Sequence, residues 1–493
     1  MPSISLIGIS LIALALVYKN IIVPAFLSPL SKIPNAHFTS PVLPTWIWWK
    51  RRNATAKEIL YSLHHKYGPV VRLGPNELSV NSAGGLRTIY MGGFQKDDWY
   101  RDAFINYQTP NMVSMLEHKP HSTQKRMLSH VYSKSYLQTC PDLQVVAKKL
   151  LSERLFPHIE SLSQSGTPLN VFPYLQGFGM DFTSAYLFGS ANGTDFLTDD
   201  KYCDHWLSLY TKFKTQLPAE RKFGEIEQWC LALCDGAATC IEGLEKSGTE
   251  GSTAPIVYGQ LSDCLKKEGL SGAELRLRLA SEMLDHLIAG HETSGITMTY
   301  LMYELSKQPL LQARLREELR TLSPPISHPP TSESLASPKS IDALPLLDAA
   351  LRETLRLYAA APAPQPRITP FSSKPVDIEG YGNIPGGVKV ASSAYVLHRN
   401  ENVYPAPEQW IPERWMSSDP NEITQMRRWF WPFGSGGRMC LGSNFAMQNM
   451  KLAIAAIYSN FTTEIVDDEG IEQDDSFIAA PASQKLMLRF KRA

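Results

Sequence analysis

The chain has 493 residues, of which 43% are hydrophobic and 19% charged, with 48 basic residues balancing 48 acidic ones. That composition excludes an overall disordered chain and leaves ample apolar material for a large core. Zero formal net charge gives no long-range pull toward a phosphate backbone, which sets nucleic-acid binding aside.

The amino-terminal run comes first. Residues 2–18 hold no charge, Lys19 interrupts, and residues 21–27 are apolar again. As a helix, residues 4–26 reach about 34 Å, enough for a bilayer core. A cleaved signal peptide carries Lys or Arg ahead of its apolar run. Here Lys19, Lys32, Lys50, Arg51 and Arg52 all stand within or after it. The pattern predicts a single transmembrane helix as membrane anchor over 1–27, with the amino terminus in the lumen and the remaining chain in the cytosol. On that reading the glycosylation sequons at Asn53, Asn192 and Asn460 are chance matches. Pro24, Pro29, Pro34, Pro41 and Pro44 predict a stiff, extended linker over 28–53.

Residues 54–493 read as one large domain, mainly α with small β-sheets, and no period of 20 to 50 residues recurs. Residues 69–80 suggest two strands around a Gly-Pro turn. A long helix is expected over 273–306, stopping before Pro309. Residues 321–340 form a Ser- and Pro-rich loop, 341–358 a helix, 359–366 a proline-interrupted extended segment, and 444–460 a further helix.

Seven cysteines, an odd number spread thinly, do not make a secreted disulfide framework. Cys230, Cys234 and Cys240 lack zinc-knuckle spacing, although Cys230 and Cys234 share a helix face. Six of the seven read as small buried hydrophobes. Cys440 differs because of its neighbours, Phe433-Gly434-Ser435-Gly436-Gly437-Arg438-Met439-Cys440-Leu441-Gly442. Glycines there permit positive φ and close backbone approach to a flat ligand. Amides at a helix start favour a thiolate, and Arg438 offers fixed charge to a carboxylate or phosphate.

At every fixed position this string resembles the haem-binding signature Phe-x-x-Gly-x-Arg-x-Cys-x-Gly of the cytochrome P450 family. The resemblance implies the cytochrome P450 fold, with Cys440 as the axial thiolate on haem iron and Arg438 beside a haem propionate. Phe433 and Gly436 belong to the same haem loop. A thiolate ligand pushes electron density toward iron and favours O–O cleavage.

Other segments resemble the family in the expected order. Ala289-Gly290-His291-Glu292-Thr293-Ser294 is similar to its distal-helix motif, which implies that Glu292 and Thr293 handle protons during oxygen activation. By their own chemistry, Gly290 weakens the helix and Thr293 can back-bond to the Ala289 carbonyl and bend it. A partly buried Glu suits proton exchange, although a surface acid and a core threonine would look the same. His291-Glu292 also opens like the zinc-protease string, but Gly295 stands where its second histidine is required.

Glu353 and Arg356 lie three apart, able to pair on one helix face. Pro412-Glu413-Arg414-Trp415 resembles the segment that completes a Glu-Arg-Arg cluster, so Glu353, Arg356 and Arg414 are assigned to pocket architecture. Residues 117–126 resemble the helix that reaches the propionates. His121 fits its pattern, and Lys125 or Arg126 stands in for the family's arginine, Lys125 without the planar fork. Arg367 matches a further propionate-binding arginine, and residues 67–80 look like fungal members.

No Gly-x-Gly-x-x-Gly follows a strand and opens a helix, so no flavin or nicotinamide domain is visible. The resemblance therefore implies a separate NADPH–cytochrome P450 reductase, with cytochrome b5 as an optional second donor. Arg427 and Arg428 suggest its docking face, though a solvated basic face accounts for them equally well. The expected function is a haem-thiolate monooxygenase of the endoplasmic reticulum membrane, oxidising a lipophilic small molecule in secondary-metabolite biosynthesis. By resemblance, residues 100–116, 205–220, 284–297, 359–365 and 477–482 face substrate. Small side chains at 359–363 and 479–481 hint at a roomy pocket. The rival readings are a haem-thiolate isomerase or dehydratase needing no reductase, and a non-enzymatic membrane haem-binding protein.

Overall fold

The computed structural model describes residues 2–53, 55–215, 224–247, 254–329, 335–372 and 374–493. Helices dominate. The central one, Gly272–Ser306, has 35 residues and is about 52 Å long at ~1.5 Å per residue. Against it packs Val171–Phe188, which is apolar all round and buried on nearly every side. Glycines set the spacing of this pair. A Cβ at Gly290 would stand 2.5 Å from Thr183 Oγ1, and one at Gly295 would stand 2.6 Å from Gln176 Cγ. Gly290, expected only to weaken the helix, thus also lets the two helices approach. Ser443–Asn460 completes the core against Gly272–Ser306, Pro309–Leu319 and Pro338–Asp342.

The principal sheet has five strands in the order β1 (Val70–Gly74), β2 (Glu77–Val80), β8 (Lys389–Ser393), β5 (Pro364–Ile368) and β3 (Gln95–Lys96). β1 and β2 form the expected hairpin, with Val70 opposite Val80. β2 runs parallel to β8, and β5 runs antiparallel to both β8 and β3. A second sheet joins β4 (Leu169–Asn170), β10 (Met487–Arg492) and β9 (Phe461–Asp467), and β6 (Val376–Ile378) pairs with β7 (Tyr381–Ile384).

Pro2–Val17 is helical, and the turn widens through Tyr18–Leu27. Residues 8–27 have a mean hydropathy of 1.9 and none is buried. Among the described residues this is the one helix long and apolar enough to cross a membrane.

Residues 28–53 depart from the extended linker expected of them. Pro29–Lys32 is a single helical turn and Thr45–Arg52 a helix, while Leu30, Ile33 and Ile47 are buried in the core. Arg72 explains the fold-back. Its buried guanidinium donates to the carbonyls of Pro24 (2.9 Å), Pro41 (3.4 Å) and Pro75 (2.8 Å), and its backbone N–H donates to Pro34 O. Proline lacks a donor but keeps its carbonyl, so a proline-rich segment suits an arginine that has only donors.

The helix expected over 341–358 is divided into Pro338–Asp342 and Pro345–Leu357, with Pro345 in the first turn of the second piece. The loop expected over 321–340 includes residues 330–334, which lie outside the described residues, as does Ala54 of the first sequon. Asn460 is buried and donates to the carbonyls of Ile326 and Ala456, so its sequon is closed to glycosylation in the folded chain. Gly295→Ala is expected to push Val171–Phe188 off the central helix and cost about 1–3 kcal/mol. A lowered thermal unfolding midpoint of the full chain checks this.

Candidate active site

The loop before Ser443–Asn460 presents Cys440. Its backbone N–H donates to Phe433 O at 2.9 Å, which closes the loop, and Phe433 packs on the main core. Gly434 and Gly436 have φ of +68° and +69°, and a Cβ on Gly436 would stand 2.3 Å from Tyr90 O. No other residue fits that second position. Cys440 lies deep in the molecule yet stays solvent-accessible, so it opens on an internal cleft.

The backbone N–H groups of Gly442 and Ser443, where the helix begins, stabilise negative charge on the Cys440 sulfur, as does nearby Lys125. Burial outweighs them, and the thiol is nonetheless raised above its ordinary range. The amides expected to favour a thiolate are therefore in place but insufficient alone. The other cysteines are buried or half-buried, as expected.

The loop is held from behind. Arg356 is fully buried and forms a fork on Glu353 (2.9 and 2.7 Å), while Arg414 Nε donates to the same carboxylate at 2.9 Å and Trp415 Nε1 at 2.9 Å. Glu353, Arg356 and Arg414 are thus brought together. Arg356 also donates to His398 O at 3.0 Å, and the His398 ring reaches back to Arg356 O at 2.9 Å. The opposite ring nitrogen accepts from Trp431 N at 2.8 Å, and Trp431 Nε1 donates to Ser435 Oγ at 2.9 Å. His398 is the link between cluster and cysteine loop, and nothing in its local sequence marks it.

Cations gather above the loop. Arg438 donates to the carbonyls of Met115 (2.8 Å) and Leu116 (2.5 Å). Arg367, on β5, is buried over the rings of Tyr90 and Tyr100 and donates to Tyr100 Oη at 3.1 Å. Lys96, on β3, is buried and donates to the carbonyls of Met112 (3.3 Å) and Val113 (2.6 Å). It falls in a short charge run that reads as a solvated edge, so sequence reasoning missed it. His121 is buried, and burial with Arg438, Lys96 and Lys125 pushes its ring down to about 3, so it is neutral. Lys125 donates to Gly437 O (3.1 Å) and Met439 O (2.7 Å), whereas Arg126 is exposed and bonds Thr123 on its own helix. The structure brings Lys125, and not Arg126, to the cysteine loop.

Across the cleft runs the central helix. Thr293 Oγ1 donates to Ala289 O at 2.8 Å, as expected, and the helix stays continuous there. Thr293 and Ala289 are partly open, whereas Glu292 is buried and turned toward the helix Asp200–Thr215. There it accepts from Tyr210 Oη at 2.6 Å and pairs with Lys214. Neither partner carried a sequence signal. His291 is closed off between Trp206 and Tyr210.

The stretches expected to face substrate converge in part. Phe477 packs against Trp99, Tyr100 and Phe104, and Ala479 N donates to Ala360 O at 2.9 Å. Residues 216–220 lie outside the described residues. The roomy pocket inferred from small side chains is corrected at four positions. Ala359, Ala360, Ala479 and Ala480 are buried, and Ala360 and Ala480 pack with Phe172, Ile296 and Tyr300, whose bulk fills the space.

The family model described as Cytochrome P450 matches residues 36–488. The chain belongs to the cytochrome P450 family. It is similar to cytochrome P450 monooxygenase avaI of Aspergillus versicolor, with 32% identity over 78% of this chain and 92% of the relative. Cytochrome P450 monooxygenase orf2 of Aspergillus niger is 25% identical over 96% of each chain. Cytochrome P450 monooxygenase FGM1 of Gibberella zeae is 26% identical over 87% of this chain and 86% of its own. The chain is accordingly a monooxygenase.

A cytochrome P450 implies haem, and the residues present fit it. Among the described residues, Lys96, Arg367, Arg438 and Lys125 make no ion pair with any carboxylate. Burying such charge unpaired is costly, and the two carboxylates of a haem would offset it. Accessible Cys440 stands at the same cleft, beside glycines that leave its floor flat.

His398 makes a testable link between proton uptake and this assembly. Burial lowers its ring to about 3, against about 6.5 unfolded. Below about 6.5 the unfolded chain gains a proton that the folded one refuses, so the contribution to stability is full above that value and falls as pH drops toward 3. Between pH 6.5 and 5 the loss from this ring is about 2 kcal/mol. His398→Gln is expected to flatten that part of the unfolding-versus-pH curve, read from unfolding midpoints at matched pH.

Proposed function

We propose that this cytochrome P450 oxidises a lipophilic small molecule in secondary-metabolite biosynthesis, drawing electrons from NADPH through a separate reductase. The observation that carries the reading is solvent-accessible Cys440 at a helix start, with Lys125, Arg438, Arg367 and Lys96 near its loop making no ion pair among the described residues. Bound haem supplies the redox chemistry that activates oxygen. Cys440 holds its iron, and Arg438, Arg367, Lys96 and Lys125 take its carboxylates, with Phe433, Gly436 and neutral His121 shaping the pocket. Arg126 is left out of that set.

Thr293 keeps its hydroxyl on the cleft side of the helix, where Oγ1 can donate to a reacting oxygen by releasing Ala289 O. Glu292 holds its carboxylate one residue away, under Tyr210 and Lys214, and passes protons when those contacts loosen. Glu353, Arg356 and Arg414 position the loop through His398 and take no part in the chemistry.

Residues 1–27 anchor the protein in the endoplasmic reticulum membrane, with the catalytic body in the cytosol. Exposed Phe38, Leu43, Trp48 and Trp49, beside Lys50, Arg51 and Arg52, suit the headgroup region next to the anchor. The catalytic body then begins within 28–53, which folds onto it. Exposed Arg427 and Arg428 on Pro420–Trp429 offer a basic face to the reductase, or to cytochrome b5.

Turnover by the purified full chain should require reductase and NADPH. Product formed without them would identify an isomerase or dehydratase instead. Cys440→Ala should abolish the thiolate-type absorbance of the reduced carbon monoxide complex. Thr293→Ala should leave that band in place but divert roughly 10-fold or more of the reduced oxygen to peroxide, measured as peroxide per NADPH consumed.

A further inference from the structure

A second cleft opens between the helices Pro141–Lys149, Pro338–Asp342 and Ser443–Asn460, with an empty volume of about 1010 Å³. Its floor is apolar, lined by Leu143, Ala147, Phe182, Ile341 and Leu452, all of them otherwise buried. Small-molecule sites are clefts of roughly 300–1,000 Å³ with such an apolar lining and a few polar groups, and this one stands at the upper end of that range. None of its lining residues belongs to the cysteine loop, the cations around it or the central helix, so it is separate from the cleft at Cys440.

The charges at this second cleft lean one way. Lys451, in its wall, is buried and bridges Asp342 Oδ1 (2.6 Å) and Asp348 Oδ1 (2.7 Å). Asp342 Oδ2 also takes Lys134 (2.5 Å), and Asp348 Oδ2 takes Arg352 (2.5 Å). Three cations against two carboxylates leave a positive charge in surplus. Asp342 is the sole carboxylate among the described lining residues, and both of its oxygens are occupied. Gln448 turns its amide to Leu137 O at 3.3 Å. At the mouth, beside exposed Val145, the side chains of Lys148 and Gln144 are exposed and take no hydrogen bond or ion pair among the described residues. The cleft thus joins an apolar floor to an ammonium and an amide that are free to donate.

We propose that this cleft binds a long-chain carboxylate, with its chain along Leu143, Ala147 and Leu452 and its carboxylate on Lys148 and Gln144. Burial of apolar surface draws in the chain. The ammonium then donates a charge-assisted hydrogen bond to the carboxylate, which a neutral alcohol of the same length does not match. An amphipathic amine is refused, because the lining carboxylate is already paired twice and the surplus charge is positive. The wall that carries Lys451 and Leu452 is the helix that begins at the Cys440 loop, yet the binding invoked here involves neither that cysteine nor haem. The inference goes beyond the monooxygenase reading and does not depend on it.

The test uses the full haem-loaded chain in phosphatidylcholine nanodiscs and two photoreactive probes, decanoate and decanol, each with a diazirine at the same chain carbon. After irradiation the chain is digested and the labelled peptides are quantified by mass spectrometry. In the wild type the acid should label residues 141–149 and 448–452 about 5-fold more than the alcohol. Lys148→Gln should bring the two probes level there, and Lys148→Arg should keep most of the difference. Residues 477–482, which belong to the other cleft, serve as the internal reference, and their labelling should be the same in all three chains. An unlabelled second cleft, equal labelling by the two probes in the wild type, or an unchanged excess in Lys148→Gln would overturn the proposal. Labelling needs no turnover, so a failure of the haem-thiolate reading, seen as a missing reduced carbon monoxide band, leaves this result standing by itself.

Discussion

Arg356 is the joint on which the site depends. Its guanidinium is wholly buried and satisfies every donor direction, with two bonds to Glu353 and others to the carbonyls of His398, Pro407 and Gln409. A buried pair like this adds little net stability against an apolar replacement, but breaking it strands a charge. Its consequence is geometric. The helix Pro345–Leu357, the segment around 398–409 and Arg414 all converge on one fork, and His398 carries that fixed position to Trp431 and the loop before Cys440. A loop with two positive-φ glycines would have many shapes if it were not pinned at that end.

The electrostatics of the cleft divide by side. Below, sulfur at Cys440 is favoured as an anion by two amides and Lys125 and disfavoured by burial and Asp285, with burial winning. Around the rim, Lys96 and Arg367 are buried and Arg438 is half-buried, and Arg438 is lowered to about 10 by burial and by Arg367. Such an excess of like charge is unfavourable in isolation and only makes sense as one half of a complementary pair. A planar group bearing two carboxylates and a metal that takes a thiolate resolves both sides at once.

Legibility in the sequence followed locality. The cysteine loop, the Glu353–Arg356 pair, the Thr293 back-bond and the hairpin at 69–80 are each specified within a few residues, so their chemistry could be read directly. What escaped depends on chain segments far apart. Residues 28–53 read as a stiff spacer because prolines dominate them, yet Arg72 gathers their carbonyls and folds them onto the body. The small residues at 359–360 and 479–480 suggested space, but Phe172, Ile296 and Tyr300 fill it from other elements. His398 and Lys96 look like ordinary polar residues until other segments bring their partners, Arg356 and Trp431 for the one and the carbonyls of Met112 and Val113 for the other.

Glu292 and Asp285 make the same point on one helix. They are seven residues apart, so they lie close to one face, and by composition alone they are interchangeable acids. The helix Asp200–Thr215 crosses over one end of that face and brings Tyr210 and Lys214 onto Glu292. At the other end Lys96 is drawn off by the carbonyls of Met112 and Val113. One carboxylate is thereby tied to a tyrosine and a lysine, and the other takes no hydrogen bond or ion pair from the described residues. The difference resides in the packing of neighbours and not in the helix itself, which is why position relative to Thr293, more than residue type, decides what each acid can do.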